Sequence, residues 1–525
     1  MGEAMQVQHG LHLHELLLHL LVLVSVLLAS VVLLVRRFGS GMATARAREE
    51  VLSKLPSPRG RLPVIGHLHL VGSLPHVSLR DLANQHGRDG LMLLHLGAVP
   101  TLVVSSPAAA QAVLRTHDHV FASRAHSPVT DILFYGSTDI VFCPYGDHWR
   151  QVKKIATTNL LTPRKIRSYR DARLHEVRLV VAKVRDAVGD AVDLTDLLSA
   201  FTTDIVCHAV AGKSFRKQGH NNLFRELVKA NSSLIGGFNL EDYFPALVKL
   251  DIIKRMVCAK ARRVNKMWDD LLESLIDEHA SKPAAEHTSE DSDFIHVLLS
   301  VQQEYNLTRD HIKAQLEIMF EAGTDTTFIV MEYTMVRLMQ KPQLMTKLQA
   351  EVRSTIPKGK DMVTEDDLDS LAFLTAVIKE TLRLHMPAPL LVPHLSMANC
   401  NINGYMVPSG TRAIINSWAL ARDPSGWERA EEFMPERFMK GGSAAAMDHK
   451  GNDFLYLPFG TGRRMCPGMN FATVTIEIML ANLMYHFDWK LPPESVEGGI
   501  SMTESFGITV NRKEKLMLIP LVPRD

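Results

Sequence analysis

The sequence predicts a mainly α protein whose first helix is a single membrane anchor. Three helical segments support this prediction. An apolar stretch covers Leu16 to Val35, a helix of about 31 residues begins at Arg309, and an apolar helix begins at Met469. The chain has 525 residues and no Gly/Ser-rich or Pro-rich linker in its middle, so one large domain is its simplest organisation.

The stretch from Leu16 to Val35 is apolar except for His19 and Ser25, and about 20 residues are roughly enough to cross a bilayer core. Arg36 and Arg37 follow it directly, whereas the segment before it has no Lys or Arg. This asymmetry predicts that the C-terminal side lies in the cytosol. A cleaved signal peptide would need a positive N-terminal region and a shorter apolar stretch, so we favour an uncleaved anchor.

We expect three regions: a signal anchor at 1–37 with a transmembrane helix at about 16–35, a basic and proline-rich hinge at 38–66, and a cytosolic domain at 67–525. The prolines from Pro56 to Pro63 are too dense for a helix or a central strand. Five cysteines are few and odd, which disfavours a disulfide framework. The net charge of +1 gives no reason to expect nucleic acid as a partner.

The loop from Pro458 to Gly468 presents Cys466 just ahead of the predicted helix at Met469. Unpaired N–H groups and the positive end of the helix dipole favour a thiolate at such a place. Cys466 is therefore a candidate metal ligand. The alternative, a small buried apolar thiol, is our interpretation of the other cysteines, Cys143, Cys207, Cys258 and Cys400.

Four neighbours of the cysteine suit a tight ligand loop. Gly462 and Gly468 allow backbone conformations that a Cβ resists, and Pro467 fits the first turn of a helix. Arg464 can offer a fixed fork of donors to a carboxylate.

The long helix is predicted from Arg309 to about Met339, because Thr308 can cap its start and Pro342 discourages its continuation. Its middle, Ala322 to Thr327, contains glycine, threonine and aspartate, which all propagate a helix poorly. Such a departure from local rules often marks function. The alternative is an ordinary solvated turn of helix.

The loop resembles the haem-ligand signature F-x-x-G-x-R-x-C-x-G of cytochrome P450 monooxygenases at Phe459, Gly462, Arg464, Cys466 and Gly468. Ala322 to Thr327 resembles the oxygen-activation motif of the same family. The order of motifs from the hinge to the C-terminus is similar to that of plant microsomal members. The resemblance implies a mainly α fold with a smaller β-rich part near the two ends of the chain, and haem b as cofactor.

The resemblance implies roles for four of these residues. Cys466 would ligate the iron and donate electron density to it. Arg464 would bind a haem propionate. Thr326 would hydrogen-bond the reacting oxygen and an ordered water, and Asp325 would help to relay protons from solvent.

Further residues resemble propionate-binding positions. Trp149 and Lys153 match a W-x-x-x-R segment with lysine in place of arginine, and His394 stands where many relatives have arginine. The alternative for the first pair is an amphipathic helix with an exposed basic face. Glu380 and Arg383 share a helix face, and with Arg437 they match a buried architectural cluster.

The resemblance also implies the surroundings of the site. The pocket would be lined from Ser123 to Tyr135, from Leu316 to Thr327, from Ala388 to Val392, and around Phe506 and Gly507. Basic side chains could meet an acidic electron donor, although simple solvation explains them equally well, at Arg150, Lys153, Lys154, Arg164, Lys165 and Arg167.

We expect a monooxygenase that uses O2 and NADPH electrons from a cytochrome P450 reductase, at the endoplasmic reticulum membrane and facing the cytosol. Its substrate would be a small apolar molecule. The segments Arg61 to Leu70 and Gly237 to Pro245 resemble the grass enzymes that hydroxylate indole and indolinone in benzoxazinoid biosynthesis. Terpenoid or herbicide hydroxylation is the alternative within the family. A haem-thiolate isomerase or dehydratase and a non-enzymatic haem carrier or sensor are further alternatives.

Overall fold

The computed structural model describes residues 42–216, 220–237, 239–246, 249–281 and 292–523. The chain divides into two units, Met1–Leu55 and Pro56–Asp525. In the first unit the described segment contains helix α1, Met42–Leu52, which lies within the predicted hinge. The predicted transmembrane helix at about 16–35 and the whole region 1–37 lie outside the described residues.

The second unit is mainly helical, as predicted. Its α-helices are, in chain order, α2 Pro75–His86, α3 Pro107–Gln111, α4 Pro128–Leu133, α5 Asp147–Ile155, α6 Pro163–Ser168, α7 Arg170–Asp186, α8 Leu194–Ala211, α9 His220–Gly236, α10 Leu240–Tyr243, α11 Asp251–Val257, α12 Ala259–Ala280, α13 Phe294–Ser300, α14 Arg309–Gln340, α15 Pro342–Thr355, α16 Ala372–Leu384, α17 Ser417–Leu420, α18 Met469–His486 and α19 Pro493–Gly498.

Within the described residues the strands are short and form four small sheets. They are β1 Leu91–Leu96, β2 Val99–Val104, β3 Val192–Asp193, β4 His394–Leu395, β5 Cys400–Ile402, β6 Tyr405–Val407, β7 Arg412–Ile415, β8 Asp488–Lys490, β9 Glu504–Phe506, β10 Val510–Arg512 and β11 Met517–Leu521. The sheet orders are β1-β2-β7-β4, β3-β11-β8, β5-β6 and β9-β10. β2 and β7 are parallel, pairing Leu102 with Ala413, and the other pairs are antiparallel.

Helix α14 begins and ends almost where the sequence predicts. The Thr308 side chain accepts a hydrogen bond from the His311 backbone N–H, and the His311 side chain accepts one from the Thr308 N–H. This reciprocal cap satisfies two backbone donors that would otherwise lack partners. The helix ends at Gln340, one residue beyond the predicted Met339, and Pro342 opens α15.

Gly323 lets α14 approach α8 closely. A Cβ on Gly323 would lie 2.8 Å from Val206 Cγ2. The glycine that weakens the helix locally is therefore explained by packing between the two helices.

Helix α8 lies in the core. Among the described residues it is the one helix long and apolar enough to cross a membrane, and 67% of its apolar window is buried in the fold. Phe201 and Ile205 on α8 and Phe320 on α14 are all nearly inaccessible to solvent. The length and apolarity of α8 thus reflect its place in the protein interior.

Candidate active site

A cavity of about 300 Å³ lies beside the Cys466 loop and α14. Most of its lining is apolar, as in ligand pockets of similar size. Its apolar walls include Val206, Ile318, Ala322, Leu391, Val392 and Ile508. The lining confirms the predicted pocket from Ile318 to Thr327, along Ala388–Val392, and around Phe506 and Gly507, where Ile508 and Thr509 line the cavity. Of the predicted stretch from Ser123 to Tyr135, Arg124 lines it and residues 125–135 do not, and residues 140–142 line it without having been predicted.

The Cys466 side chain is exposed to this cavity, and Phe459 lines the cavity with it. The backbone N–H of Cys466 donates to the Phe459 carbonyl over 3.0 Å, which closes the loop. Gly462 has φ +70°, and a Cβ there would lie 2.3 Å from the Leu114 carbonyl oxygen. The predicted need for glycine at position 462 is confirmed.

Two details of the loop differ from prediction. Gly468 has φ −83°, which any residue adopts, and α18 begins only at Met469, so Pro467 precedes the first turn. The surrounding protein keeps the Cys466 thiol away from bulk water although it faces the cavity, and this desolvation raises its pKa, whereas the backbone N–H groups of Gly468 and Met469 lower it. The N-terminus of α18 therefore lowers the pKa of the thiol, as predicted, but without haem the effect of desolvation is larger and the net shift is upward.

Arg464 lies at the edge of the cavity with its donors turned to the backbone. Its Nε donates to the Ala122 carbonyl and its Nη2 to the Cys143 carbonyl, each over 2.6 Å. The guanidinium lies 4.2 Å from the ring centroid of Trp149. Burial lowers the pKa of Arg464 to about 10, which leaves it charged at neutral pH.

Trp149 and Lys153 join Arg464 at the cavity, as predicted. The Trp149 Nε1–H donates to the Ile140 carbonyl over 3.0 Å. The Lys153 ammonium donates to the Arg463 carbonyl and lies 4.9 Å from the Trp149 ring centroid. Burial and the nearby arginines lower the pKa of Lys153.

His394 also lines the cavity. Its Nδ1 lies 2.7 Å from the Phe121 carbonyl oxygen, and burial lowers its pKa to about 3, with Arg124 contributing. The ring is neutral at pH 7, and we assign the proton to Nδ1 because a carbonyl can only accept. In this state the Nε2 of His394 can only accept a hydrogen bond, and an ionised propionate can only accept one too. The predicted contact between His394 and a propionate therefore stays a prediction.

Arg124 lies within the predicted lining from Ser123 to Tyr135, but the sequence did not single it out as a charged residue of the site. It is 6% exposed, and its Nη1 donates to the Val392 and Pro393 carbonyls over 2.7 and 3.0 Å. Burial and Arg464 lower its pKa, and Asp139 is the acid that opposes this shift. No local pattern marks Arg124, because its partner Val392 lies 268 residues away.

Asp325 and Thr326 line the same cavity from α14. The Thr326 hydroxyl donates to the Ala322 carbonyl over 2.7 Å. Asp325 accepts a hydrogen bond from the Thr509 hydroxyl, a partner that the sequence did not reveal. Burial raises the pKa of Asp325, and hydrogen bonds from Thr509 and Asn511 oppose that rise.

The predicted charge cluster is confirmed outside the cavity. Glu380 accepts from Arg383 over 2.7 and 2.9 Å and from Arg437 over 3.0 Å. All three side chains are buried. Arg383 also donates to the carbonyls of Ala421 and Ala430, which ties α16 to the segment ahead of Arg437.

The family model for cytochrome P450 matches residues 56–519. The chain belongs to the cytochrome P450 family. Family membership makes it a haem-dependent monooxygenase. The chain is 54% identical to the indole-2-monooxygenase of Zea mays over 483 residues, 91% of this chain and 90% of the relative.

Other relatives and solved structures agree with this membership. The chain is 52% identical to the indolin-2-one monooxygenase of Zea mays over 526 residues, 98% of this chain and 97% of the relative. A zebrafish cytochrome P450 with progesterone superposes with a TM-score of 0.73 at 24% identity, covering 85% of this chain and 99% of that one. At that identity the likeness shows the fold alone.

The residues at the cavity fit haem. Cys466 offers one sulfur ligand beside an apolar space, and Arg124, Lys153 and Arg464 place three cations there. Desolvation lowers the pKa of each of these cations. The buried carboxyl of Asp139 interacts with Arg124 and Arg464, and burial raises its own pKa to about 6. Arg124 is buried and Lys153 and Arg464 are half-buried, and a cationic set of this kind suits a group that carries carboxylates.

Proposed function

We propose that this protein inserts one oxygen atom from O2 into small, apolar, indole-derived molecules. NADPH supplies the electrons through a cytochrome P450 reductase, and the second oxygen atom leaves as water. One observation supports the proposal above others: Cys466 and the Asp325–Thr326 pair line one apolar cavity. A haem carrier or sensor has no need of an acid and a hydroxyl there, and neither does a haem-thiolate isomerase or dehydratase that uses no O2.

The substrate class rests on the two Zea mays relatives, which are more than half identical over most of the chain. The apolar lining of the cavity along α14 and Leu391–Val392 suits an apolar molecule. Hydroxylation of terpenoids or herbicides is the alternative, because an apolar wall selects weakly among such molecules.

Haem, when bound, supplies the iron that activates O2. Cys466 would hold the iron through its sulfur, and the Gly462 turn and the Phe459 carbonyl would fix the position of that sulfur. Arg464, Trp149 and Lys153 would exchange backbone carbonyl partners for the propionates. We add Arg124 to this group and retain His394 as a predicted member.

Asp325 and Thr326 would deliver protons at the cavity. The Thr326 hydroxyl already donates to Ala322, so it can accept a hydrogen bond from a water while it keeps that bond. Asp325 has a raised pKa, and Thr509 holds its carboxylate from the side. A carboxyl that titrates closer to neutrality is a better proton donor at physiological pH.

A membrane location follows from the anchor proposed at about 16–35 within region 1–37, with 38–66 as the hinge and 67–525 as the cytosolic domain. Large exposed apolar side chains add support, at Leu62, Val64, Ile65, Leu250, Ile252 and Met256. The Gly97 N–H donates to the Ile65 carbonyl over 3.1 Å, and the Ala98 N–H donates to the Tyr243 carbonyl over 2.8 Å. These bonds bring the segment of Ile65 beside the segment of Tyr243, which precedes α11. Exposed apolar patches of this kind suit the endoplasmic reticulum membrane surface.

The proposed reductase surface is smaller than the sequence suggests. Arg150, Lys154, Arg164 and Arg167 are exposed, whereas Lys165 is buried with its ammonium 5.1 Å from the Tyr169 ring centroid. The exposed residues keep a basic surface that would attract an acidic partner.

The test combines the full-length protein in membranes with a reductase and NADPH. Indole, indolin-2-one and a terpenoid are supplied separately, and products are identified by mass. The proposal expects hydroxylated product from an indole-type compound and none from Cys466→Ala. Product from the terpenoid alone would favour the alternative substrate class.

A further inference from the structure

A buried carboxyl on α14 lines the same apolar cavity as the cysteine loop. Glu321 lies on α14, is 6% exposed and lines the cavity. One of its oxygens, Oε2, accepts a hydrogen bond from Asn231 Nδ2 over 3.1 Å. Within the described residues, the other oxygen, Oε1, has no hydrogen-bond partner.

Asn231 on α9 fixes this carboxyl by a hydrogen bond. The same Nδ2 donates to Glu317 Oε1 over 2.8 Å, one helical turn before Glu321. Asn231 and Glu317 are fully buried, and neither lines the cavity. Glu321 is therefore the member of this group that a bound molecule can reach.

Two other polar side chains of α14 at the cavity, Thr326 and Asp325, already have hydrogen-bond partners. The Thr326 hydroxyl donates to Ala322, and Asp325 accepts from Thr509. When a substrate displaces water from the cavity, a carboxyl oxygen left without a partner costs about 1–3 kcal/mol, so a substrate that offers a partner to Glu321 gains affinity over one that does not. An apolar pocket with one such group fixes the orientation of its ligand.

We propose that Glu321 recognises the polar edge of the substrate, and that the edge it fits best is a cyclic amide with N–H beside C=O. This inference rests on the proposed function. Burial raises the pKa of Glu321 to about 8, and Asp325 and Asp139 add to the rise, whereas the Asn231 hydrogen bond opposes it. Glu317 is also buried with a raised pKa, and a negative charge on it would raise the pKa of Glu321 further.

A neutral carboxyl is complementary to a cyclic amide. Its O–H donates to the amide carbonyl while its carbonyl oxygen accepts from the amide N–H, which gives two parallel hydrogen bonds. Oε2 has a second lone pair for the N–H while it keeps the bond from Asn231. An indole offers the N–H alone and so makes one hydrogen bond.

The test measures dissociation constants on full-length, haem-loaded protein from the change in haem absorption on ligand binding. The ligands are indolin-2-one, N-methylindolin-2-one and indole. The variants are Glu321→Leu, which removes both hydrogen bonds, and Glu321→Gln, which keeps a donor and an acceptor. Met319→Leu is the matched control, because Met319 lines the same cavity without a polar group.

We expect Glu321→Leu to weaken indolin-2-one binding about tenfold or more, which is the typical effect of a lost buried hydrogen bond. Indole and N-methylindolin-2-one can each make one of the two hydrogen bonds, so Glu321→Leu should weaken the binding of each by less than it weakens the binding of indolin-2-one. The affinity of Glu321→Gln for indolin-2-one should stay within about threefold of that of the parent. Equal affinity of the parent and Glu321→Leu for indolin-2-one would overturn the inference and leave the proposed function intact. An equal loss for the N-methyl compound would also overturn it. A haem-loaded parent that binds and oxidises none of the three ligands would refute the proposed function itself.

Discussion

The Thr509 hydroxyl donates a hydrogen bond to the carboxylate of Asp325. Thr509 immediately precedes strand β10, and Asp325 lies in the middle of α14, so the bond joins the C-terminal β-hairpin to the proposed proton-delivery group. Ser232 on α9 lies 3.0 Å from the same hydroxyl. The ionisation of Asp325 therefore depends on contacts from two other parts of the chain.

Thr509→Val should shift the pH dependence of product formation. Loss of the donor removes an interaction that lowers the pKa of Asp325, so the pKa rises further. If turnover requires ionised Asp325 to accept protons from solvent, the acid limb of the pH–rate profile should move up by about 0.5–1 unit. Thr503→Val is the control, because Thr503 is exposed and its hydroxyl contacts Ser501. An unshifted acid limb in Thr509→Val would contradict the role of this bond.

Gly323→Ala should destabilise the protein although alanine is the better helix former by about 1 kcal/mol. The new Cβ would lie 2.8 Å from Val206 Cγ2, and overpacking typically costs about 1–3 kcal/mol. Thermal unfolding of the haem-loaded protein measures the change. The double variant with Val206→Ala should recover much of the loss, since the alanine side chain leaves room for the Cβ. A single variant as stable as the parent would show that the two helices can separate freely.

Glu380→Ala should prevent stable haem incorporation. The substitution leaves Arg383 and Arg437 buried without their carboxylate, which should lower the free energy of unfolding by about 3–5 kcal/mol. The haem absorption per mole of purified protein measures the outcome. Glu436→Ala, one residue before Arg437, is the control, because its ion pair with Lys347 is exposed and contributes little. Normal haem content in Glu380→Ala would contradict the architectural role.

Arg124→Gln should release haem faster than the parent. Arg124 is buried at the cavity, and glutamine cannot supply the positive charge that we assign to propionate binding. Transfer of haem to an excess of an apo-globin acceptor gives the rate. Arg115→Gln provides the comparison, because Arg115 is exposed and lies 5.8 Å from the Phe454 ring centroid. Equal release rates for the parent and Arg124→Gln would exclude Arg124 from the haem-binding set.

Glu321→Gln should gain stability over the parent as the pH rises. Burial raises the pKa of Glu321 from 4.5 to about 8, so between these values the folded parent binds more protons than the unfolded chain. Its stability therefore falls with rising pH, whereas glutamine does not titrate. Between about pH 6 and pH 8 the parent should lose about 2 kcal/mol relative to the variant, at about 1.4 kcal/mol per unit. Parallel unfolding midpoints across this range would show that Glu321 ionises normally.

Local patterns predict the elements that carry the chemistry. Thr308 and Pro342 are enough to place both ends of α14, because a cap and a proline act within one turn of helix. The Gly462 turn and the exposure of Cys466 follow in the same way from short-range backbone geometry. The start of α18 at Met469 is also predicted correctly, although Pro467 lies ahead of the first turn and not in it.

Contacts between distant segments are what the sequence could not supply. Arg124 bonds to Val392, and Thr509 to Asp325, across 268 and 184 residues. In the sequence Glu321 is one of several acids on a long helix. The fold adds two features that the sequence does not show, a hydrogen bond from Asn231 and a place in the cavity lining. No periodicity encodes such pairings, since they depend on how helices and loops meet.

Isotope labelling of the product tests the central claim most directly. Full-length protein, reductase and NADPH are supplied with an indole-type substrate under dioxygen labelled with heavy oxygen, in ordinary water. The account predicts that each hydroxylated product molecule gains one labelled oxygen atom and that Cys466→Ala forms none. Unlabelled product, or labelled product from Cys466→Ala at the parental rate, would contradict haem-thiolate monooxygenation.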